Sequence, residues 1–114
     1  MKKLQNNFTT PEQSKRLLEL GVPADSADCY IGKDNKVHVI NGDIPKSLIF
    51  QMCIPCWSVG RLIEIMALCY KFDFHDNGAI QVYAIDIKKG IAVDVLISDI
   101  ERYINKIDFS KLED

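Results

Sequence analysis

The sequence is short of the features from which chemistry is usually read. Only two histidines are present, His38 and His75, and one tryptophan, Trp57. No G-x-S-x-G turn, glycine-rich phosphate loop or H-E-x-x-H pair occurs. That removes the ordinary sequence grounds for a serine hydrolase, a nucleotide enzyme or a zinc protease. No apolar run approaches the roughly 20 residues that a membrane-spanning helix needs. Residues 1–7, Met-Lys-Lys-Leu-Gln-Asn-Asn, begin like a secretory signal, but no apolar stretch follows. An excess of either charge is missing as well. The net charge is −2 and the pI about 5.6, so neither nucleic acid nor an anionic membrane is an expected partner, since both demand a basic patch. The expectation is a soluble cytoplasmic protein whose four cysteines, Cys29, Cys53, Cys56 and Cys69, stay reduced.

What is present suffices for a core. Hydrophobic residues make up 47% and charged residues 26%, the balance of a globular rather than a disordered chain. A chain of this mass buries about two-thirds of its unfolded surface on folding. One domain is expected over residues 1–114, with 1–8 a loose arm and 108–114 a frayed tail.

The organising stretch is residues 55–68. Ser58 is a natural helix N-cap. Trp57 precedes it and Leu62 follows at the fourth helical position, the spacing of a hydrophobic staple. Val59, Leu62, Ile63, Met66 and Tyr70 form one helical stripe, while Ile65 and Leu68 widen it, so this helix should be covered on more than one side. Arg61, Glu64 and Lys71 mark its polar edge, and Arg61 and Glu64 are spaced as a solvated i,i+3 ion pair. Gly60 inside the first turn costs about 1 kcal/mol against Ala, which predicts close packing there.

Two further helices frame it. Thr10, Pro11 and Gln13 compose an N-cap, a first-position proline and a capping box, and Gly21 is placed to end that helix with Val22 touching Leu17. Near the other end, Val93, Leu96, Ile97, Ile100 and Ile104 share one face of residues 92–106. Between them, Cys29-Tyr30-Ile31 and Val37-His38-Val39-Ile40 read as a hairpin around Gly32-Lys33-Asp34-Asn35-Lys36. A second hairpin is predicted from residues 71–75, an Asp76-Asn77-Gly78 turn and residues 80–85. Residues 44–54 fit a strand or a buried loop equally. The expected fold is α+β: helix, hairpin, helix, hairpin, helix, with three helices packed on a small, mainly antiparallel sheet.

Four patterns touch on chemistry. Cys53-Ile54-Pro55-Cys56 ahead of a helix is similar to a thiol-redox C-x-x-C, where a helix N-terminus lowers a thiol pKa. The thioredoxin arrangement also needs a later cis-proline, and no proline lies beyond position 55. Cys53, Cys56 and Cys69 with His75 or Cys29 would supply four zinc ligands, but only one pair is closely spaced. Residues 73–78 carry a partial calcium-loop pattern, with His75 and Ala84 where ligands belong. His38, between two valines, reads as an outward-facing strand residue. Arg61 and Glu64, with Trp57 able to reach both core and surface, form a candidate protein-contact rim.

Two segments carry a resemblance: residues 9–28, Thr-Thr-Pro-Glu-Gln-Ser-Lys-Arg-Leu-Leu-Glu-Leu-Gly-Val-Pro-Ala-Asp-Ser-Ala-Asp, and residues 54–62, Ile-Pro-Cys-Trp-Ser-Val-Gly-Arg-Leu. Together they resemble a family of small uncharacterised proteins of gut Bacteroidetes and their phages and mobile elements, which share a T-x-E-Q-S-x-x-L-x-x-L-G-x-P opening and a P-x-W-S-L-G-x-L centre. The family pattern has Ala before the Trp, which would make Cys56 and its C-x-x-C incidental. The resemblance implies a bacterial or phage origin and supplies no catalytic residues. The functional expectation is a non-enzymatic binding or accessory protein of a mobile element or prophage. It would use no cofactor, and would contact another protein or itself through Trp57, Arg61 and Glu64. The alternative is a thiol-redox or zinc-binding protein using Cys53 and Cys56.

Overall fold

A computed structural model describes residues 7–69 and 78–112. Helix α1 (Pro11–Leu20) has the ends its sequence dictates. The Thr10 hydroxyl accepts from the Gln13 amide at 3.1 Å and the Gln13 side chain accepts from the Thr10 amide at 2.9 Å, so two otherwise orphaned donors are satisfied reciprocally. Gly21 (φ 103°) turns the chain in the left-handed region. Its amide and that of Val22 donate to Leu18 and Leu17, and Leu17 and Val22 are both buried, the full Schellman arrangement.

Strands β1 (Cys29–Ile31) and β2 (Val37–Val39) pair antiparallel in the expected hairpin, with Tyr30 opposite His38. The His38 ring stacks on that of Tyr30, outside the core, as an outward strand residue should. The stretch after β2 is corrected: Leu48-Ile49-Phe50 is neither strand nor buried loop but part of helix α2 (Lys46–Met52), and strand β3 (Ile54–Cys56) follows it. Strand β3 pairs with the other side of β1, giving one antiparallel sheet of order β2-β1-β3. Pro55 is tolerated because β3 lies at a sheet edge and faces Tyr30. The Tyr30 backbone groups are turned towards β2, so no ladder bond needs a Pro55 amide.

Helix α3 (Val59–Met66) is the central core helix, with Leu62, Ile65 and Met66 fully buried. It is shorter than its stripe predicts. Ala67 and Leu68 continue as a turn, and Cys69 pairs with Ile107 in an isolated bridge. The packing expected at Gly60 is not there: a Cβ at that position would meet only the Ser58 hydroxyl, at 3.9 Å.

The second hairpin is corrected. Its first strand, residues 71–75, and the turn residues 76 and 77 lie outside the described residues, but the partner strand at 80–85 is part of helix α4 (Gly78–Lys89). The β-branched and aromatic run there favours a strand locally. One longer-range contact and one local cap outweigh it. Tyr83 packs into the core and its hydroxyl donates to Asp99 at 3.0 Å. The helix also ends on a second Schellman cap, with Gly90 at φ 75° and the Gly90 and Ile91 amides donating to Ile87 and Asp86. Lys88 and Lys89 in the last turn suit the negative helix end.

Helix α5 (Ala92–Tyr103) buries Val93, Leu96, Ile97 and Ile100 as predicted and packs on α3 and α4. The arm and tail are tied down where described. Phe8 bridges Ser58 and packs on Cys29, Ile31 and Cys56, while Phe109 and Leu112 lie against the main core. The fold is α+β. Among the described residues it contains five helices and one three-stranded sheet rather than three helices on two hairpins.

Candidate functional site

Trp57 has no exposed surface. Its indole N–H donates to the Ser26 hydroxyl at 3.0 Å and its backbone amide to the Thr9 hydroxyl at 3.0 Å. The ring therefore plugs the core at the junction of β3, α1 and α3 and contributes nothing to a surface rim. Arg61 is only 7% exposed, so the solvated ion pair expected of it is corrected to a buried guanidinium. Its Nε donates to the Ser26 carbonyl at 2.7 Å and Nη1 to Glu64 at 3.1 Å. Burying a guanidinium is tolerable because its fixed fork of donors is met by these acceptors. Of the three residues, Glu64 alone stands largely in solvent.

A residue that sequence patterns do not mark, Asp28, ties this cluster together. Its carboxylate accepts from the Ser58 amide at 3.0 Å and the Ser58 hydroxyl at 2.6 Å. Ser58 in turn accepts from the Arg61 amide as the N-cap of α3. Asp28 and Arg61 sit between two adjoining clefts. One, of about 440 Å³, is also lined by Val39, Asn41 and Lys46; the other, of about 620 Å³, by Gly60, Glu64 and Ile87. The polar groups here are engaged in holding the start of α3. Among the described residues no hydroxyl or thiol is bonded to a histidine, and His38 faces Asp34 at 3.0 Å on the far side of the sheet.

The cysteines divide between two places. Cys29 and Cys56 are opposite each other on β1 and β3, both fully buried and both free. Burial, with Asp28 nearby, pushes the Cys29 thiol up to about 12. Burial likewise raises Cys56, whose Sγ–H donates to the Thr9 carbonyl. Cys69 is in the main core, and Cys53 is half-buried at the end of α2. Cys53 and Cys56 precede or lie within β3 rather than at the N-terminus of α3. Among the described residues no three metal-ligating side chains gather, and His75 is outside them.

An apolar face that no sequence pattern marks lies on the surface. Helix α2 buries none of its residues. Leu48 and Met52 are 53% and 65% exposed, with Ile44 at the preceding four-residue step at 54%. They line a groove of about 390 Å³ whose floor is Tyr30. Val39, 71% exposed, is on the other face of the sheet, in the cleft with Asn41 and Lys46. The i, i+4 spacing of 44, 48 and 52 was the available signal, but without a helix assignment it could not be read.

No protein-family model matches the chain, and no curated protein or solved structure matches it either. No helix among the described residues is long and apolar enough to cross a membrane.

Proposed function

We propose that the chain is a non-enzymatic binding protein, a cytoplasmic accessory factor of a bacterial mobile element or prophage, that works by protein contact through the exposed apolar face at α2. The observation that carries this reading is a helix with no buried residue whose exposed Leu48 and Met52 line one groove with Ile44, just before the helix. Covering these three side chains would recover about 3–5 kcal/mol of hydrophobic free energy. Scattered apolar residues on a surface need no explanation, whereas a contiguous group does. The resemblance of residues 9–28 and 54–62 to the mobile-element family supports the setting. The contact surface moves from the Trp57–Arg61–Glu64 rim to α2, because Trp57 and Arg61 have almost no accessible area.

The test is site-specific photo-crosslinking in bacterial cells, with a benzophenone side chain replacing Leu48 or Met52, and Glu19 on the exposed side of α1 as control. Discrete protein adducts from the two α2 positions and none from position 19 are expected. No adduct from either α2 position overturns the reading.

A further inference from the structure

The link between β2 and α2 carries the pair Asn41-Gly42. The Asn41 side-chain oxygen Oδ1 accepts from the Asp43 amide at 3.0 Å. The carboxamide reaches that amide only by folding back along its own main chain, past the Gly42 nitrogen. Among the described residues nothing accepts a hydrogen bond from the Gly42 amide. Residues 41–45 are all exposed, so the Gly42 N–H is open to solvent base. Gly42 stands at φ 89°, and nothing lies within 4 Å of where a Cβ would be. The pair belongs to no helix or strand, so a ring closed there breaks no bond of either.

We propose that Asn41 is a site of self-modification, at which the Gly42 nitrogen closes on the Asn41 side-chain carbon, expels ammonia and leaves a cyclic imide that opens to isoaspartate. The Gly42 N–H gives its proton to solvent base and the bond from nitrogen to Cγ forms. The Cγ–Nδ2 bond breaks, and the amide group takes up a proton and departs as ammonia. One water then adds to the ring. Opening at the main-chain carbonyl gives isoaspartate, and opening at the former side-chain carbonyl gives aspartate. Water is the only co-reactant. As the nitrogen attacks, negative charge develops on Oδ1, the atom to which the Asp43 N–H already donates, so that donor stabilises the transition state. Glycine at position 42 serves twice, since no Cβ crowds the attacking nitrogen and the left-handed φ carries no penalty. The product sets a carboxylate in place of a neutral amide in the cleft lined by Asp28, Lys46 and Arg61. Isoaspartate also lengthens the main chain by a carbon in the link that leads to Ile44 and α2.

The experiment keeps the folded full chain at neutral pH and body temperature for several weeks and digests samples at intervals. Mass spectrometry with electron-transfer fragmentation then tells isoaspartate from aspartate. Trypsin, cutting after Lys36 and Lys46, releases residues 37–46 as one peptide, apart from the second Asn-Gly pair, Asn77-Gly78, which falls in residues 72–88. Asn41 should be lost progressively, with both isoaspartate and aspartate in its place, the mark of a cyclic imide. Asp43→Pro removes the N–H that donates to Oδ1 and should slow the loss about two- to tenfold, the rate equivalent of one ordinary hydrogen bond. Asp43→Ala keeps that N–H, loses only the carboxylate, and should react at the wild-type rate. Gly42→Ala, which crowds the attacking nitrogen, takes the place of Asp43→Pro should the latter alter the circular dichroism spectrum, and it too should react more slowly. An Asn41 that persists unchanged overturns the proposal, as does aspartate as the sole product. So does a folded Asp43→Pro, or Gly42→Ala in its place, that reacts as fast as the wild type, or an Asp43→Ala slowed as much as Asp43→Pro.

Discussion

Replacing Ser26 by Ala tests whether the core is organised around the Trp57 hydrogen bond. The Ser26 hydroxyl accepts from the indole N–H at 3.0 Å and donates to the Pro23 carbonyl at 2.6 Å, and it is 4% exposed. Pro23 is not orphaned by the substitution, because the Ser26 backbone amide also donates to it at 3.0 Å. The indole N–H is orphaned, and no water reaches it at zero exposure. A buried donor left without an acceptor costs about 1–3 kcal/mol, so Ser26→Ala should lose about 2 kcal/mol. In a chain of this length that lowers the melting midpoint by about 8 °C. Urea unfolding followed by circular dichroism measures the loss directly. The same substitution in a Trp57→Phe background removes no partner and should cost under about 0.5 kcal/mol, which makes the coupling between the two sites about 1.5 kcal/mol. A Ser26→Ala loss below about 0.5 kcal/mol, or an equal loss in both backgrounds, would refute the reasoning.

Two further outcomes follow from the geometry. Gly60→Ala should stabilise the protein by about 0.5–1 kcal/mol, because the new methyl meets only the Ser58 hydroxyl at 3.9 Å; a lower denaturation midpoint would mean that the first turn of α3 is packed after all. In native protein at pH 8, a disulfide reagent should label Cys53 first and the other thiols only on unfolding. Cys29, raised to about 12, is roughly one part in ten thousand thiolate there, and rapid labelling of two or more thiols would contradict this.

What was legible in the sequence was what short-range chemistry decides. The ends of α1, the N-cap of α3 and the turn between β1 and β2 are written in residues within five positions of one another, and each formed as read. Helix α4 was not legible as a helix because Ile80, Val82, Tyr83 and Ile85 prefer a strand locally. The preference is overridden by the Tyr83 contact with Asp99, which lies 16 residues away. The Lys88-Lys89-Gly90 ending was visible and belongs to a helix cap as much as to a strand end. Strand β3 was hidden inside the C-x-x-C, where Pro55 argues against a strand until its place at an edge is known. The candidate rim failed for a related reason. Trp57 and Arg61 were read as residues able to reach the surface, but Ser26, more than 30 positions earlier, holds both inside through its hydroxyl and its carbonyl.

The claim that the exposed apolar row at α2 is a contact surface is tested most directly by photo-crosslinking from Leu48 and Met52 in bacterial cells. Discrete protein adducts at both positions, and none at Glu19, are the predicted result. No adduct at either α2 position would contradict it.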